Sequence, residues 1–290
     1  MQQRPAQSST PPASAEFTDF VARASASPDV VGLVLSGSRA RQGMATARSD
    51  HDVYVITADH VTASTTASTT TTPTTSPAAP PDVIEGRRSP ALDVMPLSLS
   101  AFRAHGLPGD AHAWDRYAFA HCTVLLDRLD GTITQLVQEK ATLEGLEAHR
   151  LARSELDAYI NSVYRSLKSH RDGRPAVAHL DAAESVPYLL TVVFALHQRV
   201  RPYNKYLLWE LRNHPLGAPQ WAADVLVPRI RRILADGDLD TQRALFATVE
   251  HAARRAGHGS VLDSWGADID PLRPQGRSPS QPHQGVGQGE

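Results

Sequence analysis

The chain has 290 residues, 41% hydrophobic and 21% charged, enough for two domains that each bury a core. Its 29 basic and 31 acidic residues leave a formal net charge of −2, so no general basic field marks a nucleic-acid binder or a membrane-surface protein. The single cysteine, Cys122, excludes an internal disulfide and a Cys-cluster zinc site, and fits a reducing, cytoplasmic compartment.

Residues 1–14 are rich in Gln, Ser and Pro and read as a disordered tail without the apolar core of a secretory signal. Phe17, Phe20, Val21 and Ala24 follow at helical spacing, and the apolar runs 30–35 and 53–56 have strand length. Residues 61–81 are nearly all Thr, Ser, Ala and Pro, too poor in large apolar side chains to offset the entropy of ordering, and read as a surface insertion. Residues 92–97 and 123–126 predict two further strands, with a helix over 114–120 between them. This alternation predicts an α/β (α+β) domain over 15–130 with a mixed sheet of at least four strands.

From Gly131 the apolar period becomes helical, through Ile133, Leu136, Val137, Leu143 and Leu146 and then Leu156, Tyr159, Ile160, Val163, Tyr164 and Leu167. Further helices are predicted over 182–200 (perturbed at Pro187), 205–212, 218–235 and 239–256, giving an all-α helical bundle domain over 131–270. The apolar stretch 188–196 is too short to cross about 30 Å of hydrocarbon, so no membrane association is expected. Residues 271–290 repeat Pro, Gln, Gly and Ser and predict a second disordered tail.

The chemistry concentrates in two stretches: Leu-Val-Leu-Ser-Gly-Ser-Arg-Ala over 33–40, and Ser-Asp-His-Asp-Val-Tyr-Val-Ile over 49–56. A strand ending at Gly37-Ser38 and turning into a short helix would offer backbone N–H groups and a hydroxyl to an anion such as a triphosphate. Arg39, next to this turn, is a phosphate contact in the sharp reading and an ordinary helix-surface arginine in the bland one. Asp50 and Asp52 alternate with His51 at the head of an apolar strand, so both carboxylates point one way and His51 the other. Paired carboxylates suit Mg²⁺ held jointly with phosphate oxygens, and their mutual repulsion is costly without a cation. Asp93, inside the apolar run Leu92-Asp93-Val94, is a third carboxylate for a strand beside the first; Asp82 and Glu85 are fallback choices. Such a trio can hold two Mg²⁺ about 3.5–4 Å apart, and Mn²⁺ would serve as well.

These residues resemble the DNA-polymerase-β nucleotidyltransferase superfamily, whose signature is Gly-Ser or Gly-Gly, a loop, then Asp-x-Asp. In plan the chain is most similar to the aminoglycoside and kanamycin branch with its helical C-terminal domain. The resemblance implies transfer of a nucleoside monophosphate, AMP from ATP, to a hydroxyl of a small-molecule acceptor with release of pyrophosphate. Asp50, Asp52 and Asp93 would then be catalytic and metal-binding.

In the helical half, Lys205 is the candidate triphosphate contact, with Tyr203 and Asn204 beside it for nucleotide or acceptor; the bland alternative caps a helix with Asn204 and packs Tyr203 and Tyr206. Asp181 and Glu184 share a helical face, and Glu184 is an acceptor contact or general base in the sharp reading and an ordinary acidic first turn in the bland one. Two alternative functions stand beside the enzyme: a regulatory, antitoxin-like module acting on a protein or tRNA partner, and a HEPN-type ribonuclease, suggested by Arg165 and His170. Template-directed polymerisation on nucleic acid is not expected, since no basic, aromatic-laced groove is visible.

Overall fold

In the computed structural model, which describes residues 12–59 and 81–275, Ser14 opens the first helix by accepting from the Phe17 amide at 3.1 Å. That helix, α1 (Ala15–Ala26), buries Phe20 and Ala24. Five strands follow: β1 (Val30–Ser36), β2 (His51–Thr57), β3 (Arg87–Arg88), β4 (Leu92–Ser98) and β5 (Thr123–Asp127), in the spatial order β3-β4-β2-β1-β5. β2 and β4 run parallel and the other pairs antiparallel, so the sheet is mixed.

Strand alternation divides the core between the two faces. Leu33, Val53, Val55, Leu92 and Val94 pack with Phe20 and Ala24 of α1 and Val83 of α2 (Pro81–Ile84). On the other face Val34, Tyr54 and Ile56 meet Phe102 of α3 (Leu99–Ala104), Phe119, and Ile133, Leu136 and Val137 of α4 (Thr132–Ala141). The helix predicted over 114–120 is a tighter 3₁₀ helix, Ala113–Phe119. The fold class is an α/β core with a mixed sheet, followed by helices.

The chain forms two compact units, Met1–Ala148 with Gln198–His214, and His149–His197 with Pro215–Glu290. The first unit thus reaches past the expected boundary at 130/131, to Ala148. Helical period tells which side of α4 is apolar but not that the partner is the sheet, and Ile133, Leu136 and Val137 bury there. The segment 198–214 also belongs to the first unit and carries α7 (Leu207–Asn213).

The second unit takes α5 (Gly145–Arg171) from His149 onward, then α6 (Pro175–Ala195), α8 (Ala223–Asp236), α9 (Leu239–Arg255) and α10 (Gly259–Asp263). The helix predicted to begin at 182 begins at Pro175, a residue suited to a first turn because it needs no N–H partner there. It ends at Ala195, ahead of Gln198, whose φ of 55° is incompatible with a helix. With 21 residues, α6 is long and apolar enough to cross a membrane by length and composition, and half of its apolar window is buried, as in the core helix of a globular protein.

The tail limits also shift. Leu272 is fully buried and Arg273 pairs with Glu250 at 2.8 Å, so order extends past 271. The remainder of the proposed tails and the insertion, residues 1–11, 60–80 and 276–290, lie outside the described residues.

Candidate active site

β1 leads into the site through Ser36, whose hydroxyl donates to the Ala118 carbonyl at 2.9 Å, and Gly37 then turns the chain with φ of 66°. A Cβ on Gly37 would lie 1.7 Å from Asp52 Oδ2, so only glycine lets the turn pass this carboxylate. Its immediate reason is thus Asp52, a neighbour the sequence did not reveal. The helix expected after Gly37-Ser38 is a single 3₁₀ turn, Ser38–Ala40, and Ser38 is 3% exposed; Ser36 and Gly37 form the wall of the cleft.

Asp50, Asp52 and Asp93 converge. β2 and β4 set Asp52 directly against Asp93, and each of the three carboxylates offers an oxygen within 4.8 Å of the others. Burial first, then the charges of Asp50 and Asp93, push the Asp52 carboxyl up to about 6, against the pull of Lys205 and Arg41. Arg88, opposite Asp93 across the β3–β4 pair, approaches it at 3.4 Å from a mostly exposed position, where screening leaves little binding strength. Of the fallback acids, Glu85 is exposed and outside this cluster, and the Asp82 side chain lies outside the described residues. His51 points to the opposite face, as strand alternation requires, stacked on Phe17 at 4.0 Å with its Nδ1 3.0 Å from the Ala91 carbonyl.

Arg39, expected beside the phosphates, is held by backbone carbonyls. Its guanidinium donates to the Ser49 carbonyl at 3.1 and 3.0 Å and to Pro12 at 3.1 Å, which fixes the loop leading into Asp50. The cleft arginine is Arg41, two residues on and 1% exposed. It donates to the Gly37 carbonyl at 2.6 Å and the Tyr117 carbonyl at 3.0 Å, and lies 4.3 Å over the Tyr206 ring. Among the described residues its Nε has no hydrogen-bond partner, and it is buried. A buried cation held by carbonyls and aromatic faces keeps its charge available to an anion.

The segment 198–214 supplies the other wall. Tyr203 donates from its hydroxyl to Asp115 Oδ1 at 2.8 Å, Tyr206 packs under Arg41, and exposed Lys205 lines the cleft. Asn204 is no cap and does not line the cleft; its side-chain oxygen accepts from Arg201 at 3.2 Å. Glu210, 2% exposed, ties the segment down by accepting from Tyr117 at 2.5 Å, His121 at 2.8 Å and Arg199. Burial opposes its charge, but these donors prevail and hold its pKa down to about 2.

Asp115, missed in the sequence, is the polar centre of the cleft floor. It accepts from Tyr54, Tyr203 and, at 2.9 Å, His105. Burial alone would raise its pKa, and the three hydrogen bonds outweigh it and hold the carboxyl below its usual value. The available signal was an acid within Trp-Asp-Arg-Tyr, a stretch otherwise read as a packed helix.

In the second unit Glu184 and Asp181 both meet Arg165, at 2.5 and 3.0 Å, so Glu184 is engaged in an ion pair. Arg165 and His170 lie five positions apart on α5, and Arg165 is engaged by Asp181 and Glu184.

No family model and no curated protein matches the chain. Among solved structures it is similar to a nucleotidyltransferase-like protein from Exiguobacterium sibiricum, with 13% identity, 87% of this chain and 89% of that chain covered, and a TM-score of 0.37, a likeness too distant to carry an argument.

Proposed function

We propose that the chain is a nucleotidyltransferase that moves a nucleoside monophosphate, AMP from ATP, to a hydroxyl of a small-molecule acceptor. The observation that carries this reading is the convergence of Asp50, Asp52 and Asp93, with Asp52 held half-neutral near pH 6 by burial and by its two acidic neighbours. Three carboxylates this close suit divalent cations, and two Mg²⁺ there would lower the barrier to hydroxyl attack and neutralise the leaving pyrophosphate.

The remaining tasks fall to side chains of the first unit. Lys205 and Arg41 present positive charge on the cleft wall for the phosphates, and Gly37 keeps the backbone low enough for their approach. Asp93, itself one of the three carboxylates, is the base candidate, in preference to Glu184 with its Arg165 partner. In the step itself the acceptor oxygen forms a bond to the α-phosphorus, the bond from that phosphorus to the bridging oxygen breaks, pyrophosphate leaves, and the hydroxyl proton passes to the base. Tyr203 and Asp115 line the cleft and are positioned to select the acceptor.

The test is pyrophosphate release from ATP and Mg²⁺ with a panel of hydroxyl-bearing small molecules, alongside intact mass of added proteins. Release that needs a small acceptor and disappears in Asp52→Asn supports the reading. Mass gain on a protein acceptor alone would transfer it to the modifying-module alternative, and no release with any acceptor would contradict it.

A further inference from the structure

We propose a second metal site, for Zn²⁺ or a similar transition metal, formed by His105, Asp110 and His112 on the loop after α3. It is separate from the three aspartates and does not depend on the nucleotidyltransferase reading.

The loop is drawn together by one carboxylate. Asp110 Oδ2 accepts from the amides of Gly106 at 3.1 Å and His112 at 3.0 Å, and this brings the rings of His105 and His112 into a stack 5.1 Å apart. Both Nδ1 atoms then face the same carboxylate, His105 at 4.0 Å and His112 at 3.7 Å. These separations exceed a hydrogen bond, so the loop brings three ligand atoms together without joining them.

The tautomer of His105 follows from its other nitrogen. Nε2 lies 2.9 Å from Asp115 Oδ2, and Asp115 is an acceptor that also receives the Tyr54 and Tyr203 hydroxyls. Nε2 therefore carries the hydrogen, and in the neutral ring the lone pair resides on Nδ1, aimed at Asp110 and His112. A carboxylate bonded to the far nitrogen of an imidazole is the arrangement that orients histidine ligands and raises their basicity. Two imidazoles and one carboxylate suit zinc and its neighbours rather than Mg²⁺, and three protein ligands leave a fourth position for water or another ligand. His105 is nearly buried whereas the His112 side chain is 57% exposed, so an ion has a path in. Through Asp115 the proposed ion would also fix Tyr203 at the cleft.

The experiment uses tag-free full-length protein, equilibrium dialysis against Zn²⁺ in excess Mg²⁺, and Co²⁺ in place of Zn²⁺ for its visible absorption. Wild type is expected to retain a single Zn²⁺ per chain, and the Asp50→Asn/Asp52→Asn variant to retain it equally. Asp115→Asn should weaken binding by about 10–100-fold, and His112→Ala by about 10-fold or more, through loss of an orienting contact and of a ligand respectively. An unchanged unfolding midpoint of metal-free His112→Ala shows that exposed His112 acts on the ion and not on folding. No Zn²⁺ bound by wild type, equal binding by His112→Ala, or loss confined to the Asp50→Asn/Asp52→Asn variant would each overturn the proposal.

Discussion

At Asp52 the site's need for a cation can be titrated. Its pKa in the folded chain, about 6, lies above the ordinary carboxylate value of 3.8, so the folded state holds a proton that the unfolded state has released across this window. Stability of the metal-free protein should fall as pH rises from about 4 to 6 and stay lower above it, and Mg²⁺ or Mn²⁺ affinity should rise over the same interval. Calorimetry at several pH values checks both. Asp52→Asn should raise the melting temperature of the metal-free protein at pH 8 while lowering turnover by more than about 10²-fold, the pattern expected where a functional charge costs stability. For Lys205→Met, with its head group exposed, we expect roughly tenfold weaker triphosphate binding, about 1.4 kcal/mol, with stability unchanged. The acids were legible because a strand repeats every two residues, which puts Asp50 and Asp52 on one side whatever the partner. Arg41 and Asp115 obey no such period. One follows a 3₁₀ turn, the other lies inside a 3₁₀ helix, and their meeting at the cleft depends on tertiary packing.

Among the elements, the β1 turn and the returning segment 198–214 set the cleft's shape. Gly37→Ala forces a methyl into Asp52 at a positive φ, and we expect a destabilisation of about 1–3 kcal/mol together with loss of metal binding. Glu210→Ala removes the acceptor shared by Tyr117, His121 and Arg199, and should cost about 3–5 kcal/mol in denaturant unfolding. Because Glu210 titrates lower in the folded chain than in the unfolded one, its contribution is present above about 4.5 and is lost as pH falls toward 2. The four longer strands and most long helices followed from apolar spacing. The edge strand β3, of two residues, was too short to carry a period, and the start of α6 was obscured by His179 and Asp181 near its beginning.

For the whole molecule, the sequence showed the change from sheet to helix at Gly131 but not the change of unit. Periodicity assigns a helix its apolar side; which surface receives it is decided by residues distant in sequence, here Val34, Tyr54 and Ile56. A chain ending at 130 would strip Ile133, Leu136 and Val137 from that sheet face, and we expect it to aggregate or to lose its cooperative unfolding transition in calorimetry. Calorimetric titration of each nucleoside triphosphate with Mg²⁺ against wild type and Asp50→Asn/Asp52→Asn tests the central claim most directly. Saturable binding of ATP or another triphosphate by wild type, weakened or abolished in the variant, is the predicted result. Absence of binding by wild type, or equal binding by the variant, would contradict it.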